Sequence, residues 1–347
     1  MKLIEFDYEL PPELIAQVPL PQRDGARMLA LDRATGRVEH RMVADIPQFL
    51  EPGDLLIFND TRVVPARLFG KRPSGGEVEC LVLRAIGATT AHCLIRSGAK
   101  KIGLEFNLQD WAVAKVVSEL TEVQGAFLVE FSFKEAKGFD ELLERAGKLP
   151  LPPYVHREAD IIDKERYQTI YARASGSVAA PTAGLHFTPE LLAAVEARGV
   201  DIAFLTLHVG IGTFRPITVE EIEGHSMHEE DFFVPRETIE KIKRAKSRGG
   251  RVVAVGTTTV RTLESLARQA GAVLPQGNFQ GKTNLFLRPG EEFLLVDKMI
   301  TNFHQPCSSL LVMVSTFAGV NKIKFAYEEA IRKKYRFHSY GDAMFIS

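Results

Sequence analysis

Between Val64 and Phe133 the sequence carries strand patterns and almost no helical period, while the chain on either side alternates the two. "EVECLVLRAI" places acid and apolar residues in turn at Glu77, Val78, Glu79 and Cys80, and "AHCLIRSG", "AVAKVVSEL" and "GAFLVEFSF" follow. Several short strands at a spacing of roughly ten residues predict a small barrel or sandwich. A helix-like "FDELLERAG" and a connector stiffened by Pro150, Pro152 and Pro153 close the stretch. The expected organisation is an all-β domain over residues 65–151. It is inserted into a discontinuous α/β domain made of residues 1–64 and 152–347.

The flanks set the class of the larger domain. "PPELIAQ" reads as a short helix opened by prolines, and "RMLALD" and "DLLIFND" as buried strands. The second strand ends on Asn59, Asp60, Thr61 and Arg62, polar groups at a strand's carboxyl end, where α/β sheets carry function. Beyond Lys164, "KERYQTIYA", "PELLAAVEARG" and "PRETIEKIKRAKSRGG" read as helices, "VDIAFLTLHVG" and "EFLLVDKMITNF" as strands, and "RVVAVGTTTVRTLESLARQ" as strand, turn and helix. "SSLLVMVSTFAG" is too short to span a bilayer and reads as a buried helix, and "KIKFAYEEAIRKKY" as an amphipathic one. This alternation predicts an α/β fold, a largely parallel sheet with helices on both faces in a three-layer, Rossmann-like arrangement.

Composition narrows the class further. Hydrophobic residues at 45% and charged residues at 25% fit a soluble globular chain. No apolar run is long enough for a membrane span, and "MKLIEFDYEL" lacks a signal-peptide core. Cys80, Cys93 and Cys307 are too few and scattered for a disulfide framework or a zinc site. A cytoplasmic protein is expected. The net charge of −1 excludes a chain basic throughout but leaves room for local basic patches.

Five stretches concentrate chemistry. In "SVAAPTAGLHFTPELL", residues 177–192, small residues lead into Thr182, Gly184 and His186 ahead of a helix. In "VVAVGTTTVRTLES" a strand, a glycine turn, Thr257, Thr258 and a helix start with Arg261 form either an anion cradle or an ordinary capped helix. "LHVGIGTFRPI" puts His208 at a strand end before paired glycines and Arg215; histidine suits acid–base work near neutral pH. "EGHSMHEEDFFV" holds His228 and Glu229, but matches no metal-ligand spacing, so no metal is expected. "MITNFHQPCSSLL" places Asn302 and His304 between a strand and a helix. Lys241, Arg244 and Arg248 on one helix, and Lys333, Lys334 and Arg336 near the carboxyl end, concentrate cations as a phosphate backbone requires. Nearby Tyr327, Tyr335, Phe337 and Tyr340 supply rings on which a base can stack.

Together the stretches resemble one family, the S-adenosylmethionine:tRNA ribosyltransferase-isomerases of queuosine synthesis. The resemblance is carried by "FDYELPPELIAQ", "RDGARML", "FNDTRVVPARL", "SVAAPTAGLHFT", "LHVGIGTFRPI", "MHEEDF", "VGTTTVRTLES", "TNLFLRPG", "ITNFHQPCSSLL" and "YRFHSYGDAMFI", in order from residue 5 to residue 346. Gln305, Cys307, His338 and Phe345 depart from the family pattern. The resemblance implies an α/β domain with an inserted β-barrel. The implied enzyme moves the ribosyl part of S-adenosylmethionine onto 7-aminomethyl-7-deazaguanine at the tRNA wobble position, giving epoxyqueuosine, adenine and methionine. S-adenosylmethionine is consumed as a cosubstrate, with no further cofactor, and the partner is tRNA. A monomer is expected. In that chemistry His186 and His208 are expected to transfer protons, with His228 and Glu229 facing the sulfonium or adenine. Thr182, Arg215, Thr257, Thr258 and Arg261 are expected to hold S-adenosylmethionine, with Asp60, Arg62, Asn302 and His304 beside them. Lys241, Arg244, Arg248, Lys333, Lys334 and Arg336 are expected to meet tRNA. Two other classes compete: a methyltransferase, against which stands the lack of a GxGxG turn after the first strand, and a non-catalytic RNA-binding protein.

Overall fold

Runs such as RMLAL and LLIFN are apolar at nearly every position, so they must be covered on both faces. They form β1 (Arg27–Leu31) and β3 (Leu55–Asn59) of a nine-stranded sheet in the computed structural model, which describes residues 1–99, 101–121, 125–210 and 217–347. The other members are β2 (Val38–Met42), β12 (Asp201–Leu207), β13 (Glu230–Val234), β14 (Val252–Val255), β15 (Phe279–Thr283), β16 (Lys298–Asn302) and β17 (Ala343–Ile346). Their order is β15-β13-β12-β3-β14-β16-β17-β1-β2.

Alternate residues feed two cores. Leu55, Ile57, Val252, Ala254 and Met299 pack against α4 (Arg236–Ser247), α5 (Thr257–Ala270), α6 (Ser309–Ala318) and α7 (Val320–Arg332). Leu56, Phe58, Val253, Val255 and Ile300 pack against α3 (Pro189–Ala197) and the 3-10 turn Val43–Phe49. The three-layer α/β expectation is met. The sheet is more mixed than the helix–strand alternation suggests: β12, β3, β14 and β16 run parallel, as do β17 and β1, but β16 and β17 are antiparallel. The reason is the connection. Two helices, α6 and α7, meet at Gly319 with a bend of 113° and bring the chain back to the end it left. No single helix among the described residues is long and apolar enough to cross a membrane.

The β-rich stretch closes into a barrel of β5 (Arg67–Lys71), β6 (Glu77–Ala85), β7 (Thr90–Ser97), β8 (Glu105–Leu108), β9 (Ala112–Glu119) and β10 (Ala126–Phe133), ordered β10-β7-β6-β5-β8-β9. All its pairings are antiparallel, and Phe139 and Leu142 of α1 (Phe139–Ala146) pack into its core. A small pair, β4 (Thr61–Val63) with β11 (Ala174–Ser177), lies at the point where the chain leaves the sheet for the barrel. The helix expected over "KERYQTIYA" is shorter and earlier. α2 (Ile161–Arg166) is capped by Asp160, and the chain turns at Tyr167, whose buried ring packs beside Leu149 and Leu151.

Candidate active-site clefts

Two clefts open at the carboxyl ends of the central strands, the position where open α/β sheets hold ligands. The smaller, about 710 Å³, lies beyond β12, β14 and β16. Its walls include Thr182, Thr257, Thr258, Asn302, His304 and His338. Gly256 makes the sharp turn from β14 into α5 at φ +89°, a conformation that favours glycine. With glycine at the N-cap no side chain caps the helix, so the first-turn N–H groups of Thr257, Thr258 and Thr259 remain available for an anion.

The cleft's polar groups are held from behind. Asn59 at the end of β3 accepts from the N–H groups of Thr61 (3.1 Å) and Leu207 (3.1 Å), and its amide donates to Leu207 O (3.0 Å) and to Thr258 Oγ1 (3.2 Å). On the opposite wall Thr182 Oγ1 donates to Asn302 Oδ1 (2.8 Å). The Asn302 amide reaches Asp342 O (3.4 Å) and His186 Nε2 (3.3 Å). His186 therefore stands behind Asn302, lining a separate recess with Arg23 and Tyr340 rather than this cleft. Burial holds its imidazole neutral, at about 4. His304 bonds Thr301 through Nε2 (2.8 Å) and is pushed down to about 3, by burial first and then by neighbouring His338.

The larger cleft, about 1920 Å³, separates the barrel from the sheet. β6 and α1 form one side; His208, His228 and Glu229 lie on the other. Val209 borders both clefts. Arg84 of β6 pairs with Asp231 of β13 across the gap (3.3 Å), and Lys282 pairs with Glu229 (2.7 Å). Thr61 Oγ1 meets His208 Nδ1 at 2.9 Å. Burial lowers the His208 pKa, and Asp231 and Asp60 only partly restore it, so the ring is neutral at pH 7. A Cβ on Gly176 (φ +143°) would stand 3.1 Å from His208 Cε1 and Nδ1. Gly176→Ala is expected to strain the backbone, tilt the ring off Thr61 and lower turnover about tenfold or more, since small misplacements of reacting groups are costly. Steady-state rates compared with the melting temperature check this; a wild-type rate would exclude it.

Several expected residues stand elsewhere. Asp60 is buried, accepting from Arg173 (2.5 Å) and Thr206 (2.6 Å), and exposed Arg62 lines neither cleft. Arg261 is buried in α5, its guanidinium 2.7 Å from buried Glu230, which also accepts from Gly210 N (2.9 Å). This ion pair underlies the larger cleft, whose wall includes Glu230 but not Arg261. Arg215 lies outside the described residues. Lys241 bonds Ile202 O and Glu237. Arg244 and Arg248 end α4 at the sheet's amino edge, where Gly250 abuts Gly53 ahead of β3, opposite both clefts. Lys333 and Lys334 are exposed on the cleft edge, their carbonyls held by Arg27, and Arg336 is half-buried against Val18 and Asp342. Sequence reading passed over His338, Tyr154 and Asn59 as site residues. Asn59 had a signal, as a polar group at a strand's end.

Comparison with known proteins gives one result throughout. The family model described as "Queuosine biosynthesis protein" matches residues 3–346. A curated relative from Thermotoga maritima, an S-adenosylmethionine:tRNA ribosyltransferase-isomerase, is 49% identical with both chains covered in full. Relatives of the same name from Geobacter metallireducens and Halothermothrix orenii are 49% and 48% identical, again over 100% of each chain. A crystal structure of S-adenosylmethionine tRNA ribosyltransferase from Thermotoga maritima superposes with a TM-score of 0.56 at 38% identity, covering 99% of this chain and 100% of that one.

Proposed function

The chain belongs to the queuosine biosynthesis protein family, and from that premise we propose that it is a transferase moving and isomerising the ribosyl group of S-adenosylmethionine onto 7-aminomethyl-7-deazaguanine at the tRNA wobble position. The products are epoxyqueuosine-tRNA, adenine and methionine. The observation that carries the reading is the pair of clefts meeting at Val209. The smaller cleft, with an uncapped helix end, suits the sulfonium substrate, and the wider cleft beside the barrel suits an RNA base.

The sulfonium makes the adjacent 5′ carbon acidic, so the reaction begins with proton removal there. Neutral His208, oriented through Nδ1 by Thr61, is the base, with Nε2 the nitrogen left for the proton. His228 and Glu229 lie on the same wall, where adenine departs and the aminomethyl nitrogen attacks. Closure of the epoxide then expels methionine. Thr257, Thr258 and Asn302 hold the substrate, and His186 acts through Asn302 as a positioning residue. Residues 65–151 form an inserted unit whose β6 and α1 wall the RNA side, within an α/β unit of residues 1–64 and 152–347. The enzyme works as a cytoplasmic monomer and needs no metal or further cofactor.

Incubation with S-adenosylmethionine and precursor-bearing tRNA should release adenine and methionine in equal amounts. Release of S-adenosylhomocysteine would instead mark a methyltransferase, and intact S-adenosylmethionine a binding protein. The tRNA face is tested by charge. Lys333→Glu with Lys334→Glu, on the cleft edge, should weaken tRNA binding about tenfold and shallow its salt dependence, each phosphate contact contributing a slope of about 0.7–0.9. Arg244→Glu with Arg248→Glu, at the far edge, should change little. Equal losses from the two pairs would refute this docking face.

A further inference from the structure

The hydrogen-bond partners of the smaller cleft fix where its hydroxyl protons lie. Asn59 Oδ1 accepts from two backbone N–H groups, which can only donate. Its amide nitrogen therefore faces Thr258, and Thr258 Oγ1 accepts there (3.2 Å), leaving its own proton to give. The other wall has the opposite sense. Asn302 Nδ2 faces Asp342 O, which can only accept, so Oδ1 faces Thr182 and the Thr182 proton is spent on it (2.8 Å). The second Asn302 proton goes to His186 Nε2. The imidazole proton is then on Nδ1, facing Arg23 O (3.4 Å), which agrees with a neutral ring. Thr182 can offer a ligand only lone pairs.

The two hydroxyls belong to elements in contact: a Cβ on Gly256 would lie 3.8 Å from Ala183 Cβ, next to Thr182, and 3.8 Å from Thr258 Oγ1. A donor pole, made of Thr258 and the uncapped first turn of α5, thus lines the same cleft as an acceptor pole. A second, independent feature marks the same cleft as a ligand site. His338 on its wall is 4% exposed, and neither ring nitrogen has a hydrogen-bond partner. Its backbone stands at φ +69°, an uncommon conformation for a side-chain-bearing residue and one that concentrates at functional sites. A buried polar group without a protein partner is costly, and a bound ligand group is one means of relieving it.

We propose that this cleft reads the amino-acid end of S-adenosylmethionine by hydroxyl polarity: Thr258 and the first turn of α5 donate to the α-carboxylate, and Thr182 accepts from the α-ammonium. The inference rests on the function proposed above. Carboxylate and ammonium sit on one carbon, so a single ligand end presents both groups to the cleft. A tRNA phosphate would find the donors but would face the Thr182 lone pairs.

The test is calorimetric binding of S-adenosylmethionine, its decarboxylated analogue and its des-amino analogue to the full chain. The wild-type protein should bind each analogue about tenfold more weakly than the parent. Thr182→Val, which keeps the side chain's shape, should lose about tenfold for S-adenosylmethionine and nothing further for the des-amino analogue. Thr182→Ser, which keeps the hydroxyl, should retain parent affinity. Thr258→Val should show the matching pattern with the decarboxylated analogue. Equal affinity of the wild type for all three ligands, or equal loss of parent and des-amino analogue in Thr182→Val, overturns the inference while leaving the proposed reaction intact. A decarboxylated analogue that binds as well as the parent assigns the donor pole to another anion, such as a tRNA phosphate, and also overturns it. No binding of S-adenosylmethionine, with no adenine released, overturns both.

Discussion

His208→Ala is expected to cut the rate of adenine release by about 10²–10⁴-fold, the usual contribution of a positioned general base, with little change in melting temperature. The ring is partly exposed, packs on Gly176 and bonds a single side chain, so its removal costs the fold little. Its role as base also carries a sign. Burial holds its pKa below the ordinary histidine value, so the ring is free to accept a proton at neutral pH. Activity should be flat above about pH 6.5 and fall as pH drops through the lowered value. Single-turnover adenine release across that range checks both points; a variant within a few-fold of wild type would remove His208 from the proton step. His186→Ala should behave differently. It frees the Asn302 amide and should raise KM for S-adenosylmethionine more than it lowers kcat, because His186 borders neither cleft.

The second large effect is acid lability. His186, His304 and His338 are all buried, and burial lowers them from 6.5 to about 4, 3 and 4. Between those values and 6.5 the unfolded chain binds protons that the folded chain refuses, so stability falls as pH falls. Each group contributes a slope of about 1.4 kcal/mol per pH unit within its window, and the three together about 4. Against a typical total of about 5–15 kcal/mol, this is a large loss of stability on acidification. Carboxylates act lower. For Asp163, burial alone would raise the pKa, but bonds from Arg157 and Tyr340 bring it below its ordinary value, so its contribution is present at neutral pH and lost only under about pH 4. Guanidinium melts at pH 7.5 and pH 5.0 measure the slope, and His338→Phe should remove about a third of it. A flat profile between these pH values would refute the account.

Much of this architecture was legible because burial writes its own pattern. The barrel's strands alternate, and LLIF and VVAV are apolar throughout because both faces are covered. Strands without an apolar or alternating run of useful length escaped the pattern: β8 and β17 have four residues each, and β2 reads VEHRM. Of the residues singled out in the sequence, Thr257, Thr258, Asn302 and His304 line the smaller cleft, and Asp60 and Arg62 line neither. Side chains alternate along a strand, and those at 59 and 61 reach Thr258 and His208, while Asp60 turns away to Arg173 and Thr206. Which of two adjacent polar residues turns toward a cleft depends on strand register, which one sequence does not carry. The partner of Arg261 is likewise a tertiary fact, supplied by a strand that begins far upstream of it in the chain.

β17 fills the gap between β16 and β1, pairing antiparallel with one and parallel with the other. Among the described residues, the hairpin of β1 and β2 therefore pairs with the rest of the sheet through β17 and Ser347 just after it, with Met28 against Ala343. During synthesis the barrel strands can pair while the ribosome is still making the later sheet. β1, however, emerges early and must wait with an open edge until its partner leaves the exit tunnel. Shielding of that edge, by a chaperone or by the growing chain itself, becomes a requirement of production, and stop codons just short of β17 should yield aggregated rather than merely inactive protein.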